Sequence, residues 1–237
     1  MRILIVNDDS VTAPGIALLA EAASRVGEVT VVAPEFQCSA MSQRLTIREP
    51  LTLKRAEGFP VPVSAAYSLD GTPVDCVKVA LRYILDEKPD WVFSGINNGY
   101  NVGYDIAYSG TLGAAFEAAR SGVPAIAFSS AGDKHLSALQ PHLDSILRHL
   151  LDAGTEEGTV WNVNFPPLAS KPLEGVLWNR SVARTSLYEA KFQDTPQPDG
   201  SIQLHNVGVP VGENRIGQGT DAEAVRKGFI SIGKVKA

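Results

Sequence analysis

The chain opens with Met1-Arg2-Ile3-Leu4-Ile5-Val6-Asn7-Asp8-Asp9-Ser10-Val11-Thr12, an apolar run that ends in two adjacent carboxylates. Four consecutive aliphatic residues from Ile3 to Val6 are typical of a short strand that is buried on both faces. A loop follows, and apolar residues at helical spacing between Ile16 and Val26 predict a helix. This order of strand, acidic loop and helix is the first half of a βαβ unit. Asp8 and Asp9 are therefore predicted at the carboxyl end of a buried strand.

Two carboxylates at that position need a chemical explanation. Open α/β sheets bind their ligands beyond the carboxyl ends of the strands. Neighbouring carboxylates repel each other unless a cation or a shared proton neutralises them. The pair either holds a divalent metal ion through hard oxygen ligands or forms an acidic turn that caps the following helix.

Length and composition exclude several classes of protein. A chain of 237 residues that is 44% hydrophobic and 20% charged suits one large α/β domain with a sizeable core. The net charge of -5 argues against a nucleic-acid polymer as partner. Cys38 and Cys76 form no CxxC pattern, so the sequence indicates neither a zinc site nor a disulfide framework. No stretch approaches the roughly 18 apolar residues of a membrane span, and we expect a soluble cytoplasmic protein with no membrane partner.

Polar residues follow two further predicted strands, and others lie at the start of one predicted helix. The strand Glu28–Pro34 leads into a loop that contains Ser39, and the strand beginning at Trp91 runs into a loop rich in glycine and asparagine. Tyr108-Ser109-Gly110-Thr111 precedes a helix, where hydroxyls and free N–H groups make an anion site. Ser109-Gly110-Thr111 also fits an ordinary helix start with Ser109 as N-cap, which is the commonest structural use of serine at that position.

The remaining pattern predicts further elements of the sheet and its helices. Thr72, Pro73 and Asp75 begin a helix that runs to about Leu85, and Thr220 with Glu223 forms a capping box. We also expect half-exposed strands at 45–47 and 51–53, an amphipathic helix at 136–151, a last core strand at 161–165, a hairpin-like excursion at 171–211 and a strand at 229–232.

Taken together, these groups suggest metal-assisted phosphoryl chemistry. A cation at the carboxylates would lower the pKa of a bound water and neutralise charge that develops on phosphate oxygens. Magnesium or manganese suits the oxygen ligands better than zinc, because the sequence has no histidine or cysteine cluster. A dinucleotide-binding dehydrogenase is disfavoured, because no G-x-G-x-x-G turn follows the first strand.

The motifs, in order along almost the whole chain, resemble those of the SurE family of survival-protein phosphatases. They are Asn7-Asp8-Asp9, the Ser39 loop after a VVAP strand, Gly71-Thr72-Pro73-Val74-Asp75-Cys76, Ser94-Gly95-Ile96-Asn97, Asn101-Val102-Gly103, Tyr108-Ser109-Gly110-Thr111, Asn162-Val163-Asn164-Phe165-Pro166 and Gly219-Thr220-Asp221.

The resemblance implies a fold and an activity. The fold is a Rossmann-like three-layer α/β sandwich, a single domain over 1–237 with a mostly parallel sheet, from which 171–211 protrudes as an oligomerisation hairpin. The activity is that of a divalent-metal-dependent 5'-nucleotidase, which hydrolyses nucleoside 5'(3')-monophosphates by attack of a metal-activated water. Homodimers or homotetramers are expected. The alternatives are an exopolyphosphatase or broad phosphomonoesterase on the same site, and a non-catalytic metal- and nucleotide-binding protein.

The resemblance also implies roles for individual residues. One Mg²⁺ or Mn²⁺ per subunit would be held by Asp8, Asp9, Ser39 and Asn97. The catalytic residues would be Asp8 and Asp9, and we expect Asp8 to position or deprotonate the attacking water. The substrate phosphate would be bound by Asn97, Asn101, Ser109, Gly110 and Thr111.

Among the departures from the family pattern are Tyr100, which replaces a common proline, and two positions beside the acidic pair. Ser10 and Ala40 stand where the family usually has glycine. If either position has a positive φ, its side chain strains the backbone by about 1 kcal/mol or more.

Overall fold

The computed structural model describes the backbone of residues 1–167 and 173–237. The side chains of 133–135 are not described. The predicted excursion at 171–211 therefore begins with two residues that lie outside the described ranges.

The strands of the described ranges form one large sheet and one separate hairpin. In chain order they are β1 (Arg2–Val6), β2 (Glu28–Pro34), β3 (Leu53–Arg55), β4 (Ala65–Leu69), β5 (Trp91–Asn98), β6 (Ala125–Ser130), β7 (Thr159–Phe165), β8 (Gly175–Leu177), β9 (Tyr188–Pro196), β10 (Ile202–Pro210) and β11 (Phe229–Lys236). The large sheet has the order β3-β4-β2-β1-β5-β6-β7-β11-β8, and β9 pairs with β10. The six strands from β4 to β7 in that order are parallel, whereas β3 and β11 run antiparallel to their neighbours β4 and β7. The predicted mostly parallel sheet is confirmed.

Helices cover both faces of this sheet. They are α1 (Pro14–Ser24), α2 (Pro73–Val79), α3 (Gly110–Arg120), α4 (Gln140–Ala153) and α5 (Asp221–Arg226). Ile3 and Ile5 of β1 pack in the core beneath α1 and α4, whereas Leu4 and Val6 pack in the core beneath α2 and α3. Side chains alternate between the two faces of a strand, so a fully apolar strand requires helices on both sides. The predicted three-layer arrangement is confirmed.

Two predicted helices have different limits in the structure. The helix expected to reach Leu85 is α-helical only to Val79 and continues as a π-helical turn at Ala80–Ile84, where the Leu85 N–H donates to Ala80 O at 3.0 Å. The helix expected at 136–151 begins as the 3-10 segment Asp133–Leu139 and becomes α-helical at Gln140. Pro141 suits that first turn, because its missing N–H needs no partner there.

The predicted strand at 45–47 is wrong. Thr46 donates its N–H and its hydroxyl to the Asp75 carboxylate at 3.0 and 2.7 Å, so these groups bond to a helix start and not to a neighbouring strand. The strand expected at 51–53 begins only at Leu53.

The excursion and the last core strand also need correction. Residues Gly175–Leu177 form β8, which pairs in parallel with β11 at the edge of the main sheet and is not part of the hairpin. Strand β11 continues the sheet beyond β7, so 161–165 is not the last core strand. Only β9 and β10 protrude, and almost all of their residues are exposed. No helix within the described ranges is long and apolar enough to cross a membrane.

Candidate active site

Asp8 lies where β1 ends and contacts the start of α3. Its Oδ1 accepts a hydrogen bond from the Thr111 hydroxyl at 2.8 Å, and its side chain is 4% exposed. A Cβ added to Gly110 would lie 3.1 Å from Asp8 Oδ2, so the absence of a side chain at Gly110 permits this close approach. The acidic turn does not cap α1, which has Ala13 at its N-cap without a side-chain hydrogen bond.

Asp9 connects the same turn to the end of β5 and to the loop after β2. Its Oδ2 accepts the backbone N–H of Asn98 at 2.8 Å, and its Oδ1 accepts the Gln37 amide at 3.2 Å. Asn98 ends β5, and Gln37 belongs to the loop after β2. The carboxyl ends of β1 and β5 and the loop after β2 therefore meet at one edge of the sheet. Gln37 is a contact that sequence reasoning missed, since an exposed loop glutamine gives no pattern to find.

The start of α3 provides the groups expected of an anion site. Ser109 is the N-cap, and its hydroxyl accepts the Leu112 N–H at 3.1 Å. Gly110 and Thr111 are the first two residues of the helix and are buried. Because the first N–H groups of a helix have no partner within the helix, they favour a negatively charged group. Here the Asp8 carboxylate already lies at that helix start.

Ser39 lies in the loop after β2 and Asn97 near the end of β5, and the chain neighbour of each contacts Asp8 or Asp9. Ser39 is exposed, and the N–H of its neighbour Cys38 donates to Asp8 O at 2.7 Å. Asn97 is half-buried, and its side-chain nitrogen donates to Gly99 O at 2.9 Å. Its Oδ1 accepts no hydrogen bond from any residue that the structure describes.

Asn101 takes part in a buried polar network. Its side-chain amide donates to Ser129 Oγ at 2.8 Å, and its backbone N–H donates to Asn164 Oδ1 at 2.8 Å. Asn162 donates to Asn101 O at 2.8 Å. In the sequence, Asn162 and Asn164 were notable only as part of the motif 162–166. Their spacing of two along β7 places both on one face, and that signal could have predicted the network.

Asp221 is another buried carboxylate, and sequence reasoning assigned it no role. It accepts backbone N–H groups from Gly103 at 3.0 Å, Ala183 at 2.9 Å and Ala222 at 2.7 Å. Its pKa is raised, mainly by burial. The predicted capping box beside it is incomplete, because the Glu223 carboxylate accepts the N–H of Gly219 and not that of Thr220.

Burial is also the main reason that the pKa of Asp8 is raised, to about 6. The hydrogen bond from Thr111 acts in the opposite direction, and the negative charge of Asp9 raises the pKa further. A carboxyl group with a pKa near neutrality can exchange a proton at physiological pH, which is what a general base requires.

The two departures from the family pattern beside the acidic pair have positive φ angles. Ser10 has φ of 101° and Ala40 has φ of 56°. The strain expected at these positions is therefore present on both sides of the acidic edge.

The residues at this edge fit a hard divalent cation. Asp8 and Asp9 carry two carboxylates, and the nearby segments carry the neutral oxygen atoms of Ser39 and Asn97, donor types whose chemistry suits Mg²⁺ or Mn²⁺. Within the described residues, no three His, Cys, Asp or Glu side chains form a cluster that could hold a metal ion. A cation here would thus rely on neutral oxygens in addition to the two carboxylates.

Fold and site together define a Rossmann-like α/β protein with an acidic site at a helix start. The family model described as "Survival protein SurE" matches residues 3–187. The protein named 5'-nucleotidase SurE from Laribacter hongkongensis is 41% identical to this chain, and the match covers 98% of this chain and 91% of that protein. The protein of the same name from Flavobacterium psychrophilum is 37% identical, and the match covers 97% of this chain and 89% of that protein. The crystal structure of SurE from Aquifex aeolicus is 34% identical and matches with a TM-score of 0.84, covering 100% of this chain and 93% of that one. The chain belongs to the SurE family.

Proposed function

We propose that this protein is a divalent-metal-dependent 5'-nucleotidase that hydrolyses nucleoside 5'(3')-monophosphates to nucleoside and phosphate. Relatives at 37% and 41% identity over nearly the whole chain are named 5'-nucleotidases, which supports the activity. The observation that carries the proposal is the meeting of Asp8, Asp9 and the start of α3 at one edge of the sheet.

Four residues would hold one Mg²⁺ or Mn²⁺ per subunit: Asp8, Asp9, Ser39 and Asn97. When bound, the cation supplies charge neutralisation for the phosphate and a more acidic water. The two carboxylates cannot both stay ionised at low cost without such a charge, because they are adjacent and Asp8 is buried.

The start of α3 would bind the phosphate through the N–H groups of Gly110 and Thr111, with Ser109 fixing the first turn. Asn97 and Asn101 would complete that pocket. The buried network around Asn101 holds its loop in place, since its amide group and both its backbone groups are hydrogen-bonded.

Asp8 would orient the attacking water and accept its proton. Its Oδ1 accepts the Thr111 hydroxyl, so Oδ2, which lies beside Gly110, is the oxygen that would accept the proton. In the metal-free protein, burial raises the pKa of Asp8 to about 6, and a bound cation would lower it again by stabilising the charged carboxylate.

We also propose a cytoplasmic homodimer or homotetramer. The β9–β10 hairpin extends from the sheet with both of its faces exposed, and Phe192, Ile202 and Leu204 are apolar side chains on it that a second copy could cover.

The first experiment is a phosphate-release assay on 5'- and 3'-nucleoside monophosphates and polyphosphate, with manganese, magnesium or EDTA. We expect metal-dependent release from the nucleotides and a loss of about 1,000-fold in Asp8→Asn. Asp86→Asn is the matched control, because Asp86 is an exposed aspartate in the loop before β5. No release from any of these esters with any metal, in the folded protein, would overturn the proposal. Preferential release from polyphosphate would favour the exopolyphosphatase alternative.

A further inference from the structure

We propose that the cavity between residues 103–108 and the base of the β9–β10 hairpin binds the nucleoside part of the substrate by stacking of its base on tyrosine. This inference rests on the proposed nucleotidase function and adds to it the site that recognises the leaving group. The cavity has a volume of about 520 Å³, which is within the usual range for small-molecule sites.

The cavity is lined by three tyrosines that are largely exposed. Tyr104, Tyr108 and Tyr188 are 57%, 62% and 58% exposed. Tyrosine side chains in folded proteins are usually more buried than this. A nucleobase has an apolar face that stacks on such rings. Arg184 and Asn206 also line the cavity and can hydrogen-bond to the edges of a base.

The cavity is linked to the predicted phosphate site through Tyr108, which lines the cavity and is the residue before Ser109. Tyr108 directly precedes Ser109, the N-cap of α3, and Tyr108 O accepts the N–H of Ser42 at 2.9 Å. In a nucleoside monophosphate a single ester oxygen joins the phosphate to the ribose. We therefore infer that a phosphate at the start of α3 leaves the nucleoside within reach of Tyr108 and of this cavity.

The walls of the cavity are fixed by contacts between its two sides. The N–H of Tyr104 donates to Thr185 O at 3.2 Å, and the N–H of Leu187 donates to Asp105 Oδ2 at 3.4 Å. The Tyr188 ring lies against Gly208, where an added Cβ would be 3.7 Å from Tyr188 Cδ1. A platform that is already ordered loses little conformational entropy when a ligand binds.

A second cavity is the main competitor for the same ligand. It has a volume of about 320 Å³, lies beside the loop after β2 and is lined by Phe36, Cys38 and Thr72. Phe36 is 69% exposed and, among the residues that the structure describes, is the one aromatic ring that lines it. The larger cavity is favoured because it has three rings instead of one.

The test compares two substrates that differ only in the base, adenosine 5'-monophosphate and ribose 5-phosphate. Tyr104→Ala and Tyr188→Ala should each lower kcat/KM for the nucleotide by about tenfold, through KM. Both variants should leave kcat/KM for ribose 5-phosphate within about twofold, because the sugar phosphate makes no stacking contact. Tyr83→Ala is the matched control, since Tyr83 is 80% exposed and does not line this cavity.

Several outcomes would overturn the inference. Equal losses on both substrates would show that the tyrosines only support the fold, and no loss on either would show that they do not meet the base. A nucleotide-specific loss in Phe36→Ala alone would place the nucleoside in the second cavity.

Direct binding of adenosine, which has no phosphate, separates this inference from the proposed function. We expect Tyr104→Ala to weaken adenosine binding by about tenfold in calorimetry, even in a preparation that releases no phosphate. Adenosine that binds equally well to Tyr104→Ala, or does not bind to the unmodified protein, contradicts the inference. Failure of phosphate release alone counts only against the proposed function.

Discussion

Asp8 and Asp221 are both 4% exposed, and burial raises the pKa of each, but the two carboxylates have different hydrogen-bond partners. Asp221 accepts three backbone N–H groups from three separate segments. Asp8 accepts the hydroxyl of Thr111 and has a second carboxylate, Asp9, next to it in the chain. A buried carboxylate that backbone groups satisfy connects parts of the fold. One that is left with an adjacent negative charge is suited to a cation.

The largest expected difference between the two carboxylates is in metal binding. Asp8→Asn should weaken Mn²⁺ binding by about 100-fold, because divalent-ion affinity depends on the number of charged ligands. Asp221→Asn should leave Mn²⁺ affinity within about threefold of the unmodified protein, since within the described ranges its oxygens bond only to backbone N–H groups. Isothermal titration calorimetry measures both.

A large loss of Mn²⁺ affinity in Asp221→Asn would contradict the different roles assigned to the two carboxylates. It would mean that the junction of Gly103, Ala183 and α5 controls the acidic edge from a distance.

The pH dependence of stability gives the next largest effect. The folded-state pKa of Asp8, about 6, exceeds its unfolded value of 3.8, so folding favours the protonated carboxyl. The free energy of unfolding of the metal-free protein should therefore fall as the pH rises from 4 to 7, by on the order of 2 to 3 kcal/mol from this group. Urea unfolding in EDTA measures the fall.

Asp8→Asn should lack this contribution, because an amide does not ionise. Saturating Mn²⁺ should also reduce the fall, since a bound cation stabilises the charged carboxylate. The same pH dependence in Asp8→Asn and in the unmodified protein would contradict the assignment.

Asp221→Asn should lower the free energy of unfolding by about 2 kcal/mol. The amide keeps one oxygen, which can still accept the N–H groups of Ala183 and Ala222, but its NH₂ group then faces the N–H of Gly103. Two donors that face each other leave a buried N–H unsatisfied. Asp86→Asn, at an exposed site, should change the unfolding free energy by less than about 0.5 kcal/mol. Equal stability of the two variants would show that Asp221 is not a structural connection.

The sequence predicted the centre of the fold well because the central strands carry a strong signal. Ile3 to Val6 are fully apolar, and only a strand between two helical layers buries all four. Prediction failed at 45–47, where alternation suggested a strand and Asp75 takes the hydrogen-bonding groups of Thr46. It also failed at β8, because three half-buried residues at a sheet edge have no pattern that separates them from a hairpin.

For the candidate site, the sequence could indicate which loops meet but not which groups bond. Asp8, Asp9 and the start of α3 follow from the rule that parallel strands end at one edge. The hydrogen bond from Gln37 to Asp9 and the three backbone partners of Asp221 depend on contacts between distant segments. Such contacts leave no local pattern in the sequence.

Backbone strain gives the smallest expected effect, and it also separates the two regions. At the Asp221 junction the residue with positive φ is Gly103, whereas beside Asp8 and Asp9 it is Ser10 and Ala40. Ala40→Gly should therefore raise the free energy of unfolding by about 0.5 to 1 kcal/mol, because glycine adopts a φ of 56° without steric cost. Ser10→Gly should gain less, because it loses the 3.1 Å contact between the Ser10 and Thr12 hydroxyls. Ala17→Gly, in the middle of α1, is the matched control and should lose about 1 kcal/mol. If urea unfolding shows a loss in Ala40→Gly as well, the acidic edge carries no relievable backbone strain at that position.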